Sequence, residues 1–448
     1  MRLFSDSDMK KNVIFYFSDQ QRADTVNPEL TPNLWKLAEE GIRFDRNYTC
    51  QPVCGPARAC LQTGLYATQT GCFKNAVPLP ENSGTLAHYF NCSGYETAYI
   101  GKWHLASDFI PGVGVHCETT AVPREMQGGY QYWRAADVLE FTSHGYDGYV
   151  FDENGNKIDF SGYRADCIND FALEFLDKRD TSRPFFMFIS QLEPHHQNDR
   201  HHFEGFRETV DDYKNAPIPK DLEFLPGDYK NELPDYLSAI NRLDYNVGRL
   251  VEKLKQQGIY DDTVIIYTSD HGCHFKTRNA EYKRCCHENT VKTPLIIRGG
   301  VFNGGKTYNG LTSLIDLPPT LLSCAGIAIP DNYMGFDISD MMNSDKNKRQ
   351  SVFIQISESQ CGRAVCTDRY KYSVRSDTVT GFVFPSSHYY REDYLYDLEN
   401  DPYEKNNLIK SDAYKHIREQ MKEILIKEML NAGEKKPVIF SAITAKRK

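Results

Sequence analysis

The stretch QPVCGPARACLQTGLYATQTG, residues 51–71, holds a cysteine between two prolines and an arginine four positions after it. Cys54 falls where a helix is expected to begin. Its side chain there meets unpaired backbone N–H groups and the positive end of the helix dipole, a suitable place for an anionic ester. Pro56 suits the first turn of such a helix, and Arg58 lies about one turn from Cys54, able to face the same anion. A second set of residues offers hard donors. Asp19 and Asp270 each follow an apolar run, Gln20 and His271 stand beside them, and one divalent cation could bind all four. Taken singly, each aspartate reads better as a loop or helix-cap residue.

The elements that must position these groups alternate along the first three quarters of the chain. VIFYF (13–17) reads as a strand, and Thr31-Pro32 opens a helix that ends at Gly41. Helix and strand signals then recur as 85–91 and 97–100, 165–177 and 185–190, and 236–256 and 263–268. This alternation predicts an α/β fold with a mainly parallel sheet between helices. Ligands in such folds bind beyond the carboxyl ends of the strands. There the chain carries Ser18-Asp19-Gln20, Gly101-Lys102-Trp103-His104, Glu193-Pro194-His195 and Ser269-Asp270-His271. After about residue 345 the texture changes to short strands (351–356, 363–366, 370–374, 394–398) and an amphipathic helix (413–430). A catalytic α/β domain over 9–345 and a smaller C-terminal α+β domain over 346–448 are therefore expected.

The 448 residues carry a net charge of -9, which gives no basic surplus for nucleic acid or anionic lipid. No run approaches a membrane span and no signal segment precedes the first strand, so a cytoplasmic protein is expected. Thirteen scattered cysteines do not form a secreted disulfide framework. Cys50, Cys60 and Cys72 are read as inert buried thiols. Cys273, Cys285 and Cys286 lack the spacing of a zinc site and are assigned to packing. His201 and His202 are read as solvent-facing loop residues, Trp103 as packing and the AKRK tail as a solvated terminus.

The motif CxPxR, met by Cys54, Pro56 and Arg58 and followed by LQTG (61–64), resembles the signature of the type I sulfatases of the alkaline phosphatase superfamily. FSDQQRAD (17–24), GKWHL (101–105), YTSDHG (267–272), Lys283 ahead of HENTVKTPLII (287–297) and YLYDLENDPYEKNNL (394–408) resemble that family in its order. The resemblance spans nearly the whole chain and implies an alkaline phosphatase-like fold.

It also implies roles. Cys54 would be oxidised by a formylglycine-generating maturase, and its hydrate would attack the sulfur of a sulfate ester, on a carbohydrate by the family pattern. Arg58 and Lys102 would hold the hydrate and the charge on the sulfuryl oxygens. His104 would take the proton when sulfate is expelled, while His195 and Lys283 would face the leaving oxygen. Asp19, Gln20, Asp270 and His271, with the oxygen derived from Cys54, would hold one divalent ion, calcium ahead of manganese or magnesium. Three positions depart from common patterns: Ala57 where many members have serine, Gln20 where others have a second aspartate, and His271 where some have asparagine. The same pattern occurs in phosphonate monoester and phosphodiester hydrolases, which form the second reading. An inactive sulfated-glycan binding protein, with Cys54 never converted, is the third.

Overall fold

The computed structural model describes residues 10–108 and 115–443. Residue 9, where the first domain was expected to begin, and the AKRK tail lie outside them. The sheet that carries the site has eleven strands, and its centre is built from five parallel ones. In spatial order these are Thr263–Ser269, Asn12–Ser18, Phe185–Ser190, Glu96–Lys102 and Tyr132–Ala136. The margins differ from the expected mainly parallel sheet. Leu295–Arg298 runs antiparallel to Thr263–Ser269, and Asp147–Asp152 runs antiparallel to Tyr132–Ala136, so the sheet as a whole is mixed.

The central strands are apolar on both faces because helices cover both. Along the first strand, Val13, Phe15 and Phe17 pack into one core with Phe188, Tyr99 and Trp133. Ile14 and Tyr16 face the other, with Ile265, Met187 and residues of the helices Pro32–Glu40, Arg164–Lys178 and Tyr229–Gln256. Trp103 is buried against Tyr99 and Trp133, the packing role expected of it. The helix expected from Tyr236 begins at Tyr229 and carries Pro234 inside it. A proline so near the start removes only the bond to the Lys230 carbonyl, and the apolar face of the remaining turns holds the helix together.

The C-terminal part forms a five-stranded sheet, Val352–Ile356, Gly362–Cys366, Tyr370–Arg375, Tyr389–Asp397 and Val438–Phe440, under the helix Lys415–Asn431. The first four strands are antiparallel, as expected, and the fifth adds a parallel edge that the sequence pattern did not announce. The two sheets share one core, in which Tyr66 meets Phe353 edge-on. The buried Lys371 ammonium bridges Glu404 of its own part to Glu288 of the larger one, at 2.9 and 2.5 Å. Among the described residues no helix is long and apolar enough to cross a membrane.

Candidate active site

Strand register places the chemistry. Ser18 pairs with Ser269, Phe17 with Ser190, and Gly101 with Ser190, so four adjacent strands end at one level. Asp19 and Asp270 are the next residues of two of these strands, Lys102 closes the third, and the chain after Ser190 delivers His195. Gly101 is required for this approach: its φ is +104°, and a Cβ there would stand 1.9 Å from the Ser190 carbonyl oxygen.

Cys54 is the first residue of the helix Cys54–Thr63, which is buried along its entire length. Gly64 ends that helix in the left-handed conformation with its amide on the Cys60 carbonyl. At the other end the Gly55 amide donates to Asn75 Oδ1 at 2.9 Å. The Cys54 thiol therefore points from a helix mouth into the row of strand ends. Lys283 Nζ lies 2.8 Å from its sulfur, His271 Nε2 3.4 Å and Asp19 Oδ1 3.5 Å. Burial would raise the thiol pKa, but Lys102, Lys283 and His271 outweigh it and hold the thiol well below its ordinary value.

Asp19 is the hub of the site. Its Oδ2 accepts from Lys102 Nζ at 2.7 Å and Arg58 Nη2 at 2.9 Å, all three side chains being buried. Burial and Cys54 push its pKa up, and Lys102, His195 and Lys283 push harder the other way, so the carboxyl stays ionised. Arg58 is fixed further by the Lys102 carbonyl at 2.9 Å and Ser190 Oγ at 2.5 Å. Asp270, in contrast, is pushed up to about 7 by burial and by the neighbouring Asp19 charge. Its Oδ2 accepts no hydrogen bond.

Ligand atoms of Asp19, Cys54, Asp270 and His271 all lie within 4.8 Å of one another, and all four residues are buried. Two buried carboxylates that repel each other, one with an unused oxygen, and an imidazole fit a divalent cation, which would relieve the repulsion. Gln20 stands beside them with φ 69°, its amide nitrogen against Cys273 Sγ at 3.5 Å and its backbone N–H on Asp270 Oδ1.

His195 Nε2 is 3.0 Å from Lys283 Nζ and 4.0 Å from Asp19 Oδ1, and its Nδ1 is 3.3 Å from Glu140 Oε2. Burial and Lys283 lower the His195 pKa. His104 lines the same cleft with φ 60°, in a loop pinned by Asp137, which accepts from the amides of Leu105, Ala106 and Ser107. All ten positions singled out in the sequence thus border one site. His196 does not: it packs on Tyr282 with ring centroids 4.4 Å apart. His201 and His202 are exposed, and Cys50, Cys60, Cys72, Cys273, Cys285 and Cys286 are buried, as read.

Four contributors escaped the sequence reading. Glu140 comes from the short helix Leu139–Thr142, Ser190 ends a strand as an ordinary polar residue, and the cleft wall includes Glu358 and Phe382 from the C-terminal part. None belongs to a motif. The stretch 116–132 contributes Glu118 to the cleft, and 195–207 contributes His195 and Asn198. Five of the nine non-glycine residues with positive φ among the described residues, Gln20, Ala76, His104, Arg284 and Glu358, line this one cleft of about 240 Å3. Backbone conformations of that kind persist where the surrounding structure holds them, and they gather at functional sites.

Comparison with known proteins agrees with the geometry. A family model described as Sulfatase matches residues 11–327, and one described as N-sulphoglucosamine sulphohydrolase, C-terminal, matches residues 280–431. The chain is 30% identical to the uncharacterized sulfatase YidJ of Escherichia coli K12, over 94% of this chain and 87% of that protein. It is 25% identical to an N-acetylglucosamine-6-O-sulfatase of Bacteroides thetaiotaomicron, over 93% and 86%. The solved structure of a putative sulfatase yidJ from Bacteroides fragilis superposes with a TM-score of 0.82 at 24% identity, covering 97% of this chain and 98% of that one.

Proposed function

The chain belongs to the sulfatase family and is a sulfuric ester hydrolase, and from that premise we propose that it hydrolyses a sulfate monoester on a carbohydrate with Cys54 as the precursor of its nucleophile. One observation carries this reading. The Cys54 sulfur stands at the mouth of a buried helix, between the Lys283–His195 pair and the Asp19–Asp270–His271 cluster. That sulfur marks the place of the oxygen a formylglycine would present.

Converted to formylglycine by a maturase, Cys54 would supply a hydrated aldehyde that attacks sulfur and later expels sulfate, while a divalent ion held by Asp19, Gln20, Asp270 and His271, calcium before manganese or magnesium, would neutralise sulfate charge. The rest is the work of the chain's own side chains. Lys102 helps to keep Asp19 ionised, and with Arg58 it sets two fixed cations beside the place of the sulfuryl oxygens. His104, which lines the cleft beside Cys54, would take its proton when the sulfate is released. His195 and Lys283 share a proton-bearing contact at 3.0 Å and face the leaving oxygen, to which either can donate. Glu140 Oε2 stands 3.3 Å from His195 Nδ1, where it would favour a proton on the ring.

The division into a catalytic domain to residue 345 and a C-terminal domain from 346 follows the break between the two sheets. All thirteen cysteines are free, which supports a reducing, cytoplasmic setting.

The test is protein coproduced with a maturase and offered sulfated sugars, an aryl sulfate, phosphonate monoesters and phosphodiesters. A sulfated sugar is expected to turn over fastest, since binding energy from the ring can be used in the transition state, and Cys54→Ala is expected to be inactive yet folded. Faster cleavage of a phosphonate monoester or phosphodiester than of every sulfate would replace this reading.

A further inference from the structure

The floor and the mouth of the cleft are built differently. Around the Cys54 sulfur Arg58, Lys102 and Lys283, with His104 and His195, are interleaved with Asp19, Asp270 and Glu140, where a divalent ion would add positive charge. At the wall and mouth stand the carboxylates of Glu118, Glu281 and Glu358, with Arg284. Arg284 is already held at both ends: Nη1 lies 2.5 Å from Glu281 and Nη2 2.5 Å from Glu358. Glu358 is itself fixed by the Asn75 amide at 2.8 Å, and both Arg284 and Glu358 have left-handed backbones, φ 69° and 62°. Glu118 is half-buried at the same wall. The mouth therefore carries three carboxylates against one guanidinium. A further cation, Lys74, lies against the outer phenylalanine, Phe382, at 4.4 Å from its ring centroid.

Two large apolar side chains complete the opening. Phe141 is 49% exposed and Phe382 57% exposed, one from each part of the chain, and both border the cleft. Exposed phenylalanine rings at a pocket mouth offer flat apolar faces to the C–H face of a sugar, and neighbouring carboxylates accept from its hydroxyls. The volume of about 240 Å3 leaves room for one ring beside its sulfate.

Resting on the sulfate-ester reading above, we propose that this mouth selects a sugar whose only anionic group is the sulfate to be cleaved, and rejects sugars that carry a second sulfate or a carboxylate. The cationic floor takes one anion. A second anion on the same ring is left facing Glu118, Glu281 and Glu358, and like charges brought together across an interface weaken binding and filter out wrong partners. Glu118, Glu281 and Glu358 act as specificity-determining residues, and none touches the reacting atoms.

The experiment uses matured protein and a panel of monosulfated hexoses and hexosamines covering each ring hydroxyl. The best of these is compared with the same sugar bearing a second sulfate or a linked uronate. The value of kcat/KM is expected to fall about tenfold or more for the dianion, equivalent to about 1.4 kcal/mol. The gap should narrow in Glu118→Gln and in Glu281→Gln, and narrow again as salt is raised. The same pair of sugars is titrated calorimetrically into Cys54→Ala protein, where the Kd ratio should follow the same order without turnover. A ratio below about threefold in both measurements, or a gap unmoved by both glutamate variants and by salt, would overturn the proposal. Failure of every sulfate to turn over, with the binding preference intact, would instead count against the reaction and support the selectivity of the mouth.

Discussion

Lys102→Met removes one of the two cations on Asp19 while keeping the length and apolar stem of the side chain. At 2.7 Å, the Lys102–Asp19 attraction amounts to about 6 kcal/mol at an effective dielectric of about 20. Most of it is offset in the wild type by the several kcal/mol of desolvation that a buried ammonium suffers. Breaking a buried pair by removing one member destabilises by about 3–5 kcal/mol, and Arg58, still 2.9 Å from Asp19, places this case near the lower end. An unfolding entropy of about 2.1 cal/mol/K per residue over 448 residues converts about 3 kcal/mol into a fall in Tm of about 3 °C. The same ammonium is assigned to charge developing on the sulfuryl oxygens, and removing one such preorganised donor lowers kcat by about a hundred- to a thousandfold. Scanning calorimetry and turnover of the best sulfated sugar, both at pH 7, read the two effects. A Tm within about 1 °C of wild type together with a kcat within about threefold would refute the account of Asp19 as the hub that these cations serve.

Three further outcomes are expected. Asp270→Ala should copurify with substoichiometric divalent metal by elemental analysis while remaining folded; a full equivalent of tightly held metal would remove Asp270 from the ligand set. Glu140→Gln should lower kcat about tenfold on a sugar sulfate, whose leaving oxygen needs a proton from His195, and much less on an aryl sulfate with an acidic phenol; equal losses on both would make Glu140 merely structural. Acid should destabilise the fold through buried histidines. His196 and His274 are each lowered to about 4, by burial first, and His287 is lowered well below its ordinary value by burial and by Arg278. A group whose folded pKa lies below its unfolded value of about 6.5 leaves the unfolded chain binding more protons, so stability falls as pH drops below that value. His196 and His274 together should cost about 2 kcal/mol between pH 6 and pH 5, His287 should add to that loss, and His287→Phe should make the fall shallower; a flat Tm across this interval would exclude the effect.

The elements that carry the site were legible because strand and helix periods differ and because each apolar run ended in a polar group. VIFYF announced its strand, and Asp19 stands directly after it. The row of motifs pointed to ten positions, and the fold brings them to the border of one cleft. The neighbours that tune them were not legible. Glu140 reaches His195 from a four-residue helix with no periodic signal, and Ser190 meets Arg58 only because two strands align in register. Glu358 and Phe382 arrive from the second sheet, hundreds of residues from Cys54 in sequence, through packing that only the shared core defines. The antiparallel margins of the large sheet were hidden for a related reason. A short strand such as Leu295–Arg298 is equally apolar in either direction, and direction is set by the connection that leads into it.

The central claim is that Cys54 is a precursor and not a working thiol. Mass spectrometry of the peptide spanning Cys54, from protein coproduced with a formylglycine-generating maturase, tests it most directly. The account predicts that most of the peptide carries the lighter aldehyde residue, and that the converted fraction tracks sulfate-ester turnover across preparations. An unmodified cysteine throughout that peptide, with turnover of a sulfated sugar undiminished, would contradict it.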